Sequence, residues 1–412
     1  MSLPIVVLPN NEKWDCHQCG VCCRGSVIPL SDEDLARLRS QHWDKHPDYQ
    51  NIRTVVRMGW SRRTRLAHRR DGSCVFLTEN GQCRIHSEHG MEAKPNICRV
   101  FPLQLVPGNK QAALTVRRAC PSAALDRGQA IQRHVPFIQS LVREGRLSTK
   151  PIDPPAFKAN DHRDWRTIET LLDLAAGLLQ DDRFPPVRRI AHLLRFAGLL
   201  ESAKTKAFSD EKLLELAGTL AELAPEESRE FFQDRQSPSW YGRILFRQIS
   251  LEYARLHAGI RKELTWKERI RLSTTGWVVF RGRSLPRLGA PFASADFDDL
   301  EKPFDRMDMA VDRVLARHIE TLSASHLYAM ADRQGWSILD SMRGLAMLYP
   351  VGLWLLRWVA HGREPTVDDI VNIVVALDRG QGFGPLTGTL HKRRLSTLGT
   401  QSDLERLVVW YA

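Results

Sequence analysis

The sequence predicts an α+β protein in which a small, irregular, cysteine-rich metal module precedes a larger all-α helical domain. Three observations lead there. All eight cysteines of the 412-residue chain lie between positions 16 and 120. The proline-rich stretch at 150–155 breaks helix and strand alike. Beyond it, apolar residues recur at the i, i+3, i+4 spacing of amphipathic helices almost to the end. The expected layout is a cysteine-rich module at 1–146, a linker at 147–160 and the helical domain at 161–412.

In the front part, Ser31 followed by Asp34 at the third helical position is a helix start, with Leu30 placed to staple onto Leu35. The short apolar runs 74–77 and 103–106 suit short strands or extended segments, punctuated by glycines at 72, 81 and 108. A helix is expected over 129–144, which Pro136 would kink or shorten. After the linker, Ile168, Leu171, Leu172, Ala175, Leu178 and Leu179 mark one helical face, and Ser209 caps another carrying Leu213, Leu216, Ala217 and Leu220. Further helices are expected over 187–203, 241–258, 303–323, 336–360 and 366–379, their apolar stripes serving as core.

Charge is distributed unevenly. Residues 1–150 carry 23 Lys and Arg against 13 Asp and Glu, while the other 262 residues are almost balanced. The front third is thus suited to an anionic or electron-rich partner. The opening residues lack the basic start and cleavage site of a secretory signal. The apolar stretch 344–356 falls short of the roughly 20 residues that a spanning helix needs. The expectation is a cytoplasmic protein without a transmembrane segment, where thiols stay reduced and cysteines serve metal or redox chemistry before disulfides.

The cysteines form one constellation. Cys16, Cys19, Cys22 and Cys23 make a C-x-x-C-x-x-C-C head, and Gly20 lets the backbone fold around a shared centre. The C-x-x-C-x-x-C run is the one that wraps a cubane iron–sulfur cluster in bacterial-type ferredoxins. Cys74, Cys83, Cys98 and Cys120 follow at wide spacing. Two zinc ions, one cubane (4Fe-4S) cluster with spare thiols, or two clusters all satisfy the count, since soft thiolates select zinc, copper(I) or iron–sulfur centres. Cys16, Cys19 and Cys22 are expected as first ligands, with a distal cysteine completing the site. His17 and His86 are candidate ligands, more often found beside such a centre than on it. Arg24 and Arg99 are expected to offset charge next to the sulfurs.

These motifs resemble the zinc- or iron-chelating CxxCxxCC, or cysteine-cluster, family. The chain has Cys16-His-Gln-Cys19-Gly20-Val-Cys22-Cys23-Arg24, then Cys74-Val-Phe-Leu-Thr-Glu-Asn-Gly81-Gln-Cys83, then Lys94-Pro95-Asn-Ile-Cys98-Arg99-Val-Phe101-Pro102, and finally Cys120-Pro121. It departs at Val75, where the family usually has Pro, at His86 in place of Tyr, and at Lys94 in place of Arg. The resemblance implies metal binding by the cysteines. A weaker likeness to flagellin lysine N-methylases, resting on the cysteines and total length, would imply S-adenosylmethionine and a protein substrate.

The sequence holds two further motifs. Five arginines lie within residues 62–70, around Trp60. They would suit nucleic acid, an acidic protein surface or an anionic co-substrate; a solvated surface whose arginines balance thiolate charge is the preferred reading, because interleaved aromatics are sparse and no nucleic-acid-binding signature is present. The run Asp378-Arg-Gly380-Gln-Gly382-Phe-Gly384 has the form of a nucleotide or adenosylmethionine loop. Thr366 as a cap and Gly380 as a stop instead favour a helix over 366–379. Two functions remain open: an iron–sulfur enzyme of redox or protein-methylase type, or a structural zinc protein that docks partners without catalysis.

Overall fold

The computed structural model describes residues 2–24, 26–58, 63–260, 284–285, 288, 291–302, 307–330, 335–380, 386, 388–400 and 402–412. It is an α+β chain, with a small strand-and-helix region in front and a larger helical region behind. No helix among the described residues is long and apolar enough to cross a membrane.

The front region is built from very small sheets. Ile5–Val7 runs parallel to Ala112–Val116, which pairs antiparallel with Leu103–Pro107, joining the N-terminal residues to a hairpin formed a hundred positions later. Pro29–Leu30 and Val55–Arg57 flank Thr64–Leu66 on its two sides. Neither sheet can bury much alone, and each leans on a cluster of large side chains. Trp43, Tyr49 and Phe76 stack with Leu38, Leu66, Leu77 and Ile85 in one cluster. Trp14 gathers Leu103, Leu114, Val116, Ile131, Ile138 and Leu141 in the other.

Local expectations are met where caps are explicit. Ser31 and Asp34 close a capping box on Asp32–Ser40. The run 103–106 lies in the strand Leu103–Pro107. Two expectations are corrected. Residues 74–77 form a turn held by isolated bridges, Cys74 to His68 and Leu77 to Cys83, because the chain must reverse there to reach Cys83. The segment 129–144 divides into strand Gln129–Ala130, a 3-10 turn at Ile131–His134, and helix Val135–Arg143. Pro136 therefore starts that helix rather than kinking it, since a first-turn position has no N–H partner to lose.

Residues 148–155 lie in neither helix nor strand. The helical region follows the apolar periodicity closely, with Trp165–Gln180, Pro186–Ser202, Asp210–Glu227, Trp240–Ile260, Met309–Ala324, Ile338–Val359 and Val367–Gly380. Positions 303–306 of the expected 303–323 helix lie outside the described residues. Thr389–Thr400 and Asp403–Tyr411 were not anticipated. Ile338–Val359 is the central element. Trp354, Trp358, Leu355 and Leu356 on it are fully buried, and neighbouring helices pack around it on several sides. Its length and burial explain why so apolar a segment stays within the protein.

The helical region is bonded to the front one through buried polar groups. Arg118, 1% exposed, donates to the carbonyls of Ala123 and Ala124, to Asp126 and to Thr321 on helix Met309–Ala324. Arg317 of that same helix reaches Asp126 and the Asn10 carbonyl. Arg117 donates through Nε to the Asp378 carboxylate at 3.0 Å and through Nη2 to its backbone carbonyl at 2.7 Å. Asp378 thus sits at the end of a helix, as the cap-and-stop reading expects. Residues 381–384 of the glycine-rich run lie outside the described residues.

Candidate metal centre

The cysteine head is a tight turn. Cys23 N–H donates to the Gly20 carbonyl and Arg24 N–H to the Val21 carbonyl, with Gly20 at a φ of 68°. Against this turn lies the reversal at 78–83. Gly81, at φ 77°, comes so close that a Cβ there would stand 2.4 Å from the Gln18 carbonyl oxygen. Gln82 Nε2 donates to Gln18 Oε1 at 3.0 Å. Two cysteine-bearing loops are therefore packed backbone to backbone. Cys74 is tied in directly, its N–H donating to the Cys23 carbonyl at 2.7 Å. Cys83 immediately precedes helix Arg84–His89, Cys98 lies in helix Asn96–Val100, and Cys120 immediately precedes helix Pro121–Ala124.

The thiols act on one another across these segments, and Cys22 is the hub. Its sulfur is 3.9 Å from that of Cys23. That contact first, and burial second, holds the Cys22 thiol well above the usual range. Cys19, Cys74, Cys98 and Cys120 each feel the charge of Cys22, while Cys83 acts on both Cys74 and Cys98, and Cys16 on Cys19. Burial pushes the Cys74 thiol up to about 11, and raises Cys19, Cys98 and Cys120 as well. Without a cation these groups are held as neutral thiols; a metal reverses that preference by displacing the protons.

Opposing this desolvation are donors and cations aimed at the sulfurs. Backbone N–H groups of Val21, Phe76, and both Ser122 and Ala123 favour the thiolates of Cys19, Cys74 and Cys120 respectively. Lys94 stabilises thiolate charge on Cys22 and Cys98, Arg69 on Cys74, and Arg379 on Cys22. These cations differ from the two that sequence reasoning selected. Arg24 is exposed and pairs with Asp71 at 3.4 Å, while Arg99 pairs with Glu92 and lies over the Phe137 ring. Lys94 could have been found, since it stands inside the Cys98 motif. Arg379 could not, because 281 positions separate it from Cys98 and nothing local marks it.

His17 is turned toward the Asp15 carbonyl and the Ser122 hydroxyl, at 2.9 and 3.0 Å, and His86 is exposed on its short helix. The donor set fits a thiophilic metal in kind and in neighbourhood. Among the described residues, however, no group of three His, Cys, Asp or Glu side chains already stands in ligating geometry. The Cys74 segment is bonded to the cysteine head and the 78–83 reversal is packed against it. The expectation of four sulfurs around a single point is not met by the arrangement described.

What the front region presents is a cysteine-rich module braced by short helices and turns. Residues 15–121 match the family model described as "CxxCxxCC: Putative zinc- or iron-chelating domain". The chain is also similar to the Methanocaldococcus jannaschii protein described as uncharacterized protein MJ0939, with 24% identity over 134 residues. That alignment covers 32% of this chain and 44% of the relative, so the chain spans less than half the length of the protein it matches. No solved structure matches the chain. Neither comparison shows a likeness to flagellin lysine methylases.

Proposed function

We propose that residues 1–146 form a module that binds an iron–sulfur cluster through cysteines grouped about Cys22, and that residues 161–412 form a helical domain bonded to it. The observation that supports this reading is the packing of cysteine segments about Cys22: its sulfur lies 3.9 Å from that of Cys23, the Cys74 N–H donates to the Cys23 carbonyl, and Gly81 of the 78–83 reversal lies against Gln18. Five other thiols, those of Cys19, Cys23, Cys74, Cys98 and Cys120, act on it or are acted on by it. Zinc and a cubane cluster each take four cysteine ligands, so the number of thiols does not separate them; the C-x-x-C-x-x-C run of Cys16, Cys19 and Cys22, which wraps cubane clusters in bacterial-type ferredoxins, is what favours the cluster. The N–H donors to Cys19, Cys74 and Cys120 support the same reading, because hydrogen bonds to sulfur tune and hold such clusters.

A bound cluster would supply one-electron or Lewis-acid chemistry. The chain's own residues would hold the sulfurs, exclude water from Cys74 and Cys120, and offset negative charge through Lys94, Arg69 and Arg379. Methyl transfer from adenosylmethionine draws no support from Asp378, whose carboxylate is committed to Arg117 and the Ala119 N–H. Anaerobic purification with iron, zinc and acid-labile sulfide analysis tests the proposal. Labile sulfide with a broad visible absorption band is the expected result. Colourless protein with stoichiometric zinc would replace the cluster by structural zinc, and metal-free protein that takes up neither would remove both readings.

A further inference from the structure

Resting on the metal-centre reading above, we infer that the helical region completes the centre: Asp378 and Arg379 form a clamp that holds the Cys22 and Cys120 segments in place for metal. Both lie in the last turn of helix Val367–Gly380, outside the residues that the family model matches. Arg379 Nη2 donates to the carbonyl of Val21, the residue before Cys22, at 2.8 Å. Asp378 accepts the N–H of Ala119, the residue before Cys120, at 2.8 Å. Consecutive residues of one helix thus grip the immediate neighbours of two thiols that lie about a hundred positions apart in the chain.

The clamp is itself rigidly mounted. Asp378 is 1% exposed and Arg379 7%. The helix packs against Trp240–Ile260, Met309–Ala324 and Ile338–Val359. Gly380 lies so close to the Tyr253 ring that a Cβ would fall 2.6 Å from it, which fixes the end of the helix against its neighbour. Arg118 braces the turn after Cys120 to Thr321 in the same manner. Holding the two segments before metal arrives removes part of the ordering cost of ligation, and a guanidinium beside Cys22 offsets the charge of a multi-thiolate centre. Arg379 is in this sense a positioning residue, acting through Val21 and through its field.

The test uses the full chain purified with its metal, as wild type, Arg379→Ala and Arg379→Lys, with far-UV circular dichroism to confirm folding. Metal release to an excess of chelator and the thiolate-to-metal absorption band are followed. Arg379→Ala is expected to hold metal 10- to 100-fold less tightly, the usual loss when a residue supporting a ligand is removed. Its absorption band should shift, and Arg379→Lys should recover part of both effects by restoring the charge. Wild type without metal would overturn the proposed function and this inference together. Wild type with metal, and a folded Arg379→Ala that releases it at the wild-type rate, would overturn this inference alone. Should Arg379→Ala fail to fold, Arg379→Lys decides: faster release supports the clamp and unchanged release refutes it.

Discussion

Gly81 lies directly against Gln18: the backbone of the 78–83 reversal approaches the cysteine head so closely that a single added methyl would stand 2.4 Å from the Gln18 carbonyl oxygen. A positive φ of 77° makes the position costly for any other residue besides. Gly81→Ala is expected to destabilise the chain by about 1–3 kcal/mol and to lower metal content, because it drives the Cys83 loop from the Cys19 loop. Denaturant unfolding and metal analysis of the purified variant check both. An unchanged metal content would show that the two loops need not touch for binding.

Removing individual thiols should not be uniform. Cys22 acts on Cys19, Cys74, Cys98 and Cys120 and lies 3.9 Å from the Cys23 sulfur, whereas Cys16 is exposed. Cys22→Ala is expected to abolish metal uptake, while Cys16→Ala should lower it by a smaller factor, within the 10- to 100-fold span of a weakened site. Metal-to-protein ratios of the two variants after identical reconstitution give the comparison. Equal losses would deny Cys22 its central place.

Among the described residues Arg118 is the most deeply buried cation joining front and helical regions, with four separate acceptors. Arg118→Met keeps much of the stem but strands those acceptors. A cost of about 3–5 kcal/mol is expected, the range found when one partner of a buried pair is removed. Urea midpoints of wild type and variant measure it, and a change below about 1 kcal/mol would mean that water replaces the guanidinium without penalty.

The pH dependence of stability should show the buried His318. Burial lowers its pKa to about 4, with Arg118 and Arg117 acting in the same direction and Asp378 opposing them. An unfolded histidine takes up its proton near pH 6.5, and the folded one only near 4. As pH falls through that window the unfolded state binds more protons, so stability declines, by up to about 3 kcal/mol, and the loss is complete below the folded value. His318→Phe should flatten the slope between pH 6.5 and 4 in denaturant titrations. A slope identical to that of wild type would place the titration elsewhere.

Ser31, Asp34, Ser209 and the apolar stripe from Ile168 to Leu179 located their helices because capping and periodicity are local. The segment 129–144 and the turn at 74–77 were misread because their conformations answer to distant partners. Lys13–Trp14 draws Gln129–Ala130 into a ladder, and Cys23 fixes Cys74. The helices that carry Cys83, Cys98 and Cys120 span four to six residues, too short for a periodic pattern to show.

The amino-acid sequence alone determined the donor chemistry on offer, because eight thiols are soft donors wherever they fold, and it determined the two-part architecture through its periodicity. Only the tertiary structure decided which cations serve those thiols. Arg24 and Arg99 are neighbours of cysteines in the chain yet turn to Asp71 and Glu92. Arg379 is far away in the chain yet lies beside Cys22, because the packing of helix Val367–Gly380 carries it there. Electrostatic influence follows distance in space, and a linear sequence does not contain that distance.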